Sequence, residues 1–203
     1  MVCQCATIDL GETLTMPIPP SVERELLHTR TIDMRGYKRA DGLFDIEGRV
    51  TDVKTHPLHP PGRETPSPPG VAIHDMSIRM TIDDRLTIVD IVAVMDAGPY
   101  GHCPEAAGGL ASLRGAQIGR GWTARVKALL GRESCTHLVE LLIPMATAAF
   151  QTMAPVRFGR PDVLDATGRP VKIDSCYAYS SDRALVRKVW PAHYTGPDGH
   201  QDR

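Results

Sequence analysis

The chain has 203 residues, 42% of them hydrophobic and 23% charged, the composition of a globular chain long enough for one well-covered core and short for two full domains. Its formal net charge is -1. With no run of Lys or Arg there is no electrostatic footprint for a phosphate backbone, so nucleic acid is not an expected partner.

Residues 1–27 read as a flexible arm, broken by Pro17, Pro19 and Pro20, with Ser21 placed to cap a short helix through Leu27. Met1–Pro20 has no basic segment leading into an apolar one, so no secretory signal is expected and the cytoplasm is the default location. Strand patterning follows. Arg30–Tyr37 is the first expected strand. In Phe44–Val53, Phe44, Ile46 and Val50 alternate with Asp45, Glu47, Arg49 and Thr51, the period of a half-buried strand. In Ala72–Ile82, Met76, Ile78, Met80 and Ile82 alternate with Asp75, Ser77, Arg79 and Thr81. Asp83-Asp84-Arg85 then supplies a turn into Leu86–Met95, which is apolar on both faces, as a covered central strand would be.

His56–Gly70 carries six prolines and two glycines and reads as an extended surface loop. After Pro99 the periodicity becomes helical. Glu105–Arg114 predicts a weak helix containing Gly108 and Gly109, and Thr123–Leu130 a better one with Thr123 as N-cap and Gly131 as its stop. Ser134–Met153 is the strongest helical segment. Its apolar stretch Leu138–Phe150 is too short to span a bilayer and is interrupted by Glu140 and Pro144, so no membrane partner is expected. Val171–Tyr194 reads as a further ordered segment, and residues 195–203 as a polar tail. Strands first and helices after them predict one α+β domain over residues 28–194, an antiparallel meander of three or four strands with helices on one face.

Five cysteines, Cys3, Cys5, Cys103, Cys135 and Cys176, are an odd number scattered along the chain. Reduced thiols are therefore expected rather than a disulfide framework.

Chemistry concentrates on few positions. On the helix beginning Ser134-Cys135-Thr136-His137, the polar residues His137, Glu140, Thr147 and Gln151 form one stripe beside Leu138, Leu141, Leu142, Met145 and Ala149. A polar stripe on a core helix needs partners, because an unpaired buried polar group costs roughly 1–3 kcal/mol. Those partners are either the sheet, which makes the stripe structural, or a substrate. His74 shares the parity of Met76 and Ile78 and so points to the apolar side, either as a satisfied core residue or as an acid/base partner of His137 or Glu140. Asp75 points the other way, onto a face with Asp45, Glu47, Arg49 and Arg79, which is either a solvated ladder of ion pairs or a carboxylate clamp through Arg49 or Arg79. Cys135 at the helix start is either a small core residue or a thiolate. Cys103, Cys135 and His137, with His74 or His102, have the types of a zinc site but not the spacing of a compact finger. No dinucleotide, phosphate-loop, nucleophile-elbow or zinc-protease motif is present.

The strings His28-Thr29-Arg30, Asp41-Gly42-Leu43-Phe44-Asp45-Ile46-Glu47-Gly48, His74-Asp75-Met76, Cys135-Thr136-His137-Leu138-Val139-Glu140-Leu141-Leu142, Ala148-Ala149-Phe150-Gln151 and Asp174-Ser175-Cys176 resemble the bacterial domain-of-unknown-function family 2889, from about His28 to Tyr194. That resemblance implies aromatic-compound catabolism and, within it, cofactor-free carbon–carbon lyases that release formaldehyde from lignin-derived dimers. The layout around Cys103 and Cys135 is also similar to NifU-type iron–sulfur scaffolds, although His74 and Asp75 stand where those have their first cysteine.

The leading expectation is a small-molecule enzyme without a cofactor. His74 or His137 serves as base, Glu140 or Asp75 orients it, and Arg49, Arg79 or Gln151 binds an aromatic substrate. A metal-binding or iron–sulfur accessory protein using Cys103, Cys135 and His137 is the alternative. Oligomeric state is left open, and a homo-oligomer is compatible with the sequence.

Overall fold

Alternation of apolar and polar side chains in the first half of the chain builds four strands, β1 (His28–Lys38), β2 (Phe44–Lys54), β3 (Ala72–Ile82) and β4 (Ile88–Ala97). The computed structural model describes residues 21–197, so the expected arm over residues 1–20 and residues 198–203 of the expected tail lie outside the described residues. The described residues divide into two compact units, Glu23–Gly159 and a second that holds residues 160–197.

In the first unit the strands form one antiparallel meander in the order β1-β2-β3-β4, and helices cover one face. The α+β architecture read from the sequence is the one formed. Strands β1 and β2 pair without interruption from His28 opposite Lys54 to Lys38 opposite Phe44. The inner face carries Phe44, Ile46 and Val50 from β2 and Met76, Ile78, Met80 and Ile82 from β3, all buried. Each such side chain contributes roughly 1.5–3 kcal/mol when removed from water.

Two strand expectations change. The turn before β4 runs longer, because the Asp83 carboxylate accepts hydrogen bonds from the N–H groups of Arg85 and Thr87 while Leu86 takes a φ of 66°. Strand β4 is also an edge strand, not a covered central one: Val89, Val92 and Val94 are exposed. An apolar outer face survives there because no element of the first unit lies on it.

The predicted helix over Glu105–Arg114 is a 3-10 segment, Cys103–Leu113, burying Leu110 and Leu113. Glycines 108 and 109 disfavour a regular α-helix there. Helix α1 (Trp122–Leu130) begins after Gly121, which takes a left-handed φ of 78°, rather than at a Thr123 cap, and it stops at Gly131 as expected. No helix forms over Ser21–Leu27, where Val22, Leu26 and Leu27 are exposed.

Helix α2 (Thr136–Thr152) crosses the inner face and buries Leu138, Leu141, Leu142, Met145 and Ala149; a short α3 (Ala154–Phe158) follows. Two glycines let α2 come this close. A Cβ on Gly36 would overlap the Thr152 side chain, and one on Gly48 would lie 3.0 Å from Met145. The indole N–H of Trp122 donates to the carbonyl of Leu142 at 3.0 Å, fastening α1 to α2 two residues before Pro144. The helix therefore lies diagonally, its last turn over β1 and its first turn toward β3.

In the second unit, the Asp165 carboxylate accepts from the N–H groups of Thr167 and Arg169 and closes a tight turn. The segment expected to be ordered, Val171–Tyr194, contains the 3-10 turns Tyr177–Tyr179 and Pro191–His193 and helix α4 (Ala184–Val189). It is held by buried Ile173 and Val186 and by the Trp190 indole donating to Asp162 at 2.7 Å.

Candidate functional site

The phase that places Phe44, Ile46 and Val50 inward continues through Gly48 to Asp52. Cross-strand register then sets Arg30 of β1 opposite Asp52 of β2, and Asp52 opposite His74 of β3. Three strands thus lay a guanidinium, a carboxylate and an imidazole in one row on the covered face. Asp52 is only 1% exposed. A carboxylate so placed needs full compensation, since the desolvation of an ion costs several kcal/mol.

Compensation comes from three side chains. Arg30 donates from Nε to Oδ1 at 2.8 Å and from Nη2 to Oδ2 at 2.9 Å, a two-point fork. His74 Nδ1 lies 3.0 Å from Oδ2 and His28 Nε2 lies 3.1 Å from Oδ1. Burial pushes the Asp52 carboxyl upward, but the hydrogen bonds and charge of Arg30, with those of His74, outweigh it and hold the group at about 2. An ionised carboxylate can only accept, so in a neutral His74 ring the proton sits on Nδ1 and Nε2 keeps its lone pair.

The first turn of α2 lays His137 over this row. The rings of His74 and His137 are 3.8 Å apart at their centroids and inclined by 34°. Burial, the neighbouring His74 and the charge of Arg30 push His137 below the usual imidazole value, so its ring is neutral at neutral pH. On the other side His137 Nδ1 is 3.5 Å from the Sγ of Cys135, the N-cap of α2. The Ser134 hydroxyl, buried just ahead of Cys135, has no hydrogen-bond partner among the described residues.

The expected residues separate into two groups. His74 and His137 are brought together, and Glu140 stands at their margin: its side chain is 63% exposed, and it accepts from Arg30 Nη1 at 3.0 Å. Asp75 points to the outer face, as its parity predicts, and pairs there with Arg49 at 2.6 Å. The sheet lies between that pair and His74. Arg79 lines a shallow outer groove with Arg49 and Glu47, and Gln151 and Thr147 of the α2 stripe are exposed. Cys103 packs against Gly98, with its Sγ 3.5 Å from the position of a Cβ there.

Asp52, Arg30 and His28 are the residues that sequence reasoning missed. The signal for Asp52 was present: a carboxylate in phase with Phe44, Ile46 and Val50 is a charge at a core position. Arg30 could be found only through register, because its meaning is the residue opposite it.

Asp52, His74 and His137 each offer one potential ligand atom, and these atoms lie within 4.8 Å of one another. The arrangement can therefore present an oriented imidazole to a proton of a bound molecule or, with rearrangement of the Arg30 fork, hold a cation. No helix among the described residues is long and apolar enough to cross a membrane.

No curated protein and no solved structure matches the chain, and the layout likeness to NifU-type scaffolds draws no support from those comparisons. A family model described as a protein of unknown function, DUF2889, matches residues 28–151, a stretch that holds the whole row from His28 to His137. The chain belongs to that family.

Proposed function

We propose that this protein is an enzyme of acid/base chemistry on a small molecule, with His74 as the base. The observation that carries the reading is the Asp52–His74–His137 row, in which a buried, ionised carboxylate fixes His74 through Nδ1 and turns its other nitrogen free for chemistry. In acid/base enzymes such a group contributes typically 10²–10⁴-fold. Arg30 keeps Asp52 charged, and neutral His137 is the second proton carrier.

The reaction class we favour is loss of formaldehyde from a lignin-derived aromatic dimer. His74 takes the proton of a hydroxymethyl group, and the bond from the carbinol carbon to its neighbour breaks to give formaldehyde. The electron pair of that bond forms a new carbon–carbon double bond as the oxygen substituent on the next carbon departs. That oxygen takes up a proton handed back by the protonated His74, so the proton first removed is returned. Atoms and electrons balance without an oxidant or a cofactor. Purified protein mixed with such dimers is expected to release formaldehyde together with stilbene-like absorbance; absence of both rejects this substrate class.

A second reading is a metal centre, favoured by the closeness of ligand atoms on Asp52, His74 and His137, with Cys135 beside His137. Both oxygens of Asp52 are already engaged by Arg30, His28 and His74, which supports the proton-transfer reading over it. Elemental analysis of protein purified without chelator separates the two: stoichiometric zinc or iron lost in His74→Ala would favour the metal centre. The same measurement tests the metal set Cys103, Cys135 and His137 expected from sequence, through loss of metal in Cys103→Ser.

A further inference from the structure

We propose that the cleft between the proline-rich loop and the segment following β4 is a subsite for a planar aromatic group carrying a carboxylate or hydroxyl. The cleft is an open depression of about 510 Å³, lined by Arg63 of the loop and by Met95, Asp96, Tyr100 and His102. That volume falls within the roughly 300–1,000 Å³ of small-molecule sites.

Its walls suit a flat ring. Tyr100 and His102 stand with their rings nearly parallel, 5.7 Å apart and inclined by 8°, and a further ring can extend such an arrangement by offset stacking. The turn that presents them is already formed. The N–H of Cys103 donates to the carbonyl of Tyr100 at 3.1 Å, and Gly98 admits Cys103 to a distance of 3.0 Å from where a Cβ would be. Little ordering is then left for a ligand to impose. Polar groups define the substituent. Arg63 is steadied by one hydrogen bond from Nη1 to Ser67 Oγ at 3.2 Å, and its fork has further donors suited to a carboxylate or phenolate. Asp96 supplies an acceptor for a hydroxyl.

The register of the sheet places this cleft. Ala97 is opposite Asp75 and Met95 opposite Met76, so the cleft lies at the end of β4 that neighbours Asp75, and the charge of Asp96 acts on Arg49 of the outer face. Binding of a single ring there does not depend on the proposed function.

The test uses the full chain and vanillate, a hydroxy-methoxybenzoate, as probe, followed by calorimetry and by ligand-observed magnetic resonance. Saturable binding in the millimolar range or tighter is expected. Tyr100→Ala should weaken it roughly tenfold, and Tyr100→Phe, which keeps the ring, by no more than about twofold. Arg63→Gln should weaken vanillate more than uncharged methoxyphenol, and His74→Ala should leave vanillate binding unchanged. No saturable binding, or binding indifferent to both Tyr100→Ala and Arg63→Gln, overturns the subsite. Turnover abolished by His74→Ala without any Tyr100 effect on binding also overturns the subsite and leaves the acid/base reading standing. Ring binding that depends on Tyr100, in a protein whose turnover ignores His74, upholds the subsite and removes that reading.

Discussion

The two faces of the sheet carry the same kinds of side chain and put them to different use. On the outer face Arg49 pairs with Asp75, and Arg35 with Asp33 at 2.7 Å, each pair with at least one partner about half exposed or more. On the inner face Arg30 pairs with Asp52 beneath α2 at nearly the same distances. Outside, water screens both charges and competes for their hydrogen bonds, so a pair contributes little to stability. Inside, the carboxylate has lost its water, and every donor around it becomes obligatory. Burial, more than residue type or spacing, separates an ornamental ion pair from one that can orient a base.

The largest expected difference between the faces is in turnover. His74→Ala should lower formaldehyde release by about 10²–10⁴-fold, whereas Asp75→Asn, one residue along and on the other face, should stay within about twofold. Equal losses would show that the outer face takes part in the chemistry. His137→Ala should also reduce turnover by a large factor; unchanged turnover would leave His74 to act alone.

Next comes stability. Asp52→Asn should cost about 2–4 kcal/mol in urea unfolding, since Arg30 is left against a neutral amide, while Asp75→Asn should cost less than about 1 kcal/mol. A third contrast concerns pH. Because His137 is pushed below its ordinary value of 6.5, the unfolded chain binds the proton more readily. Its contribution is then complete above 6.5 and is lost as pH falls below it. Asp52, ordinarily at 3.8 and held at about 2, contributes fully above 3.8 and loses that contribution as pH falls from there through about 2. The denaturation midpoint should therefore fall between pH 7.5 and 5.5 in the wild type and fall less in His137→Gln. The smallest effect is that of salt. Raising ionic strength should weaken the outer pairs and leave the Arg30–Asp52 fork almost untouched, measured as the salt dependence of the Asp75→Asn and Asp52→Asn stability differences.

Much of the fold was readable because it is written in periods. Alternation in Phe44–Val53 and Ala72–Ile82 located two strands and their faces, and the apolar face of Ser134–Met153 located the helix that covers them. Both histidines were readable in the same way, since parity turned His74 inward and Asp75 outward and the polar stripe of the helix marked His137. Where one signal had two physical sources the reading went astray. An apolar β4 fits a central strand and equally an edge with one uncovered face, and the glycines at 108 and 109 sit in a 3-10 segment as readily as in a weak helix.

What the linear order of residues decided, then, is the alternation that makes a four-stranded meander and the apolar stripe that brings α2 onto it, because both depend on neighbours two to four positions apart. Only the folded sheet decided that Arg30, Asp52 and His74 stand in one row with His137 laid over them. The register that makes this row relates residues 22 positions apart along the chain, and the strength of a charge depends on how much water the rest of the chain removes from it.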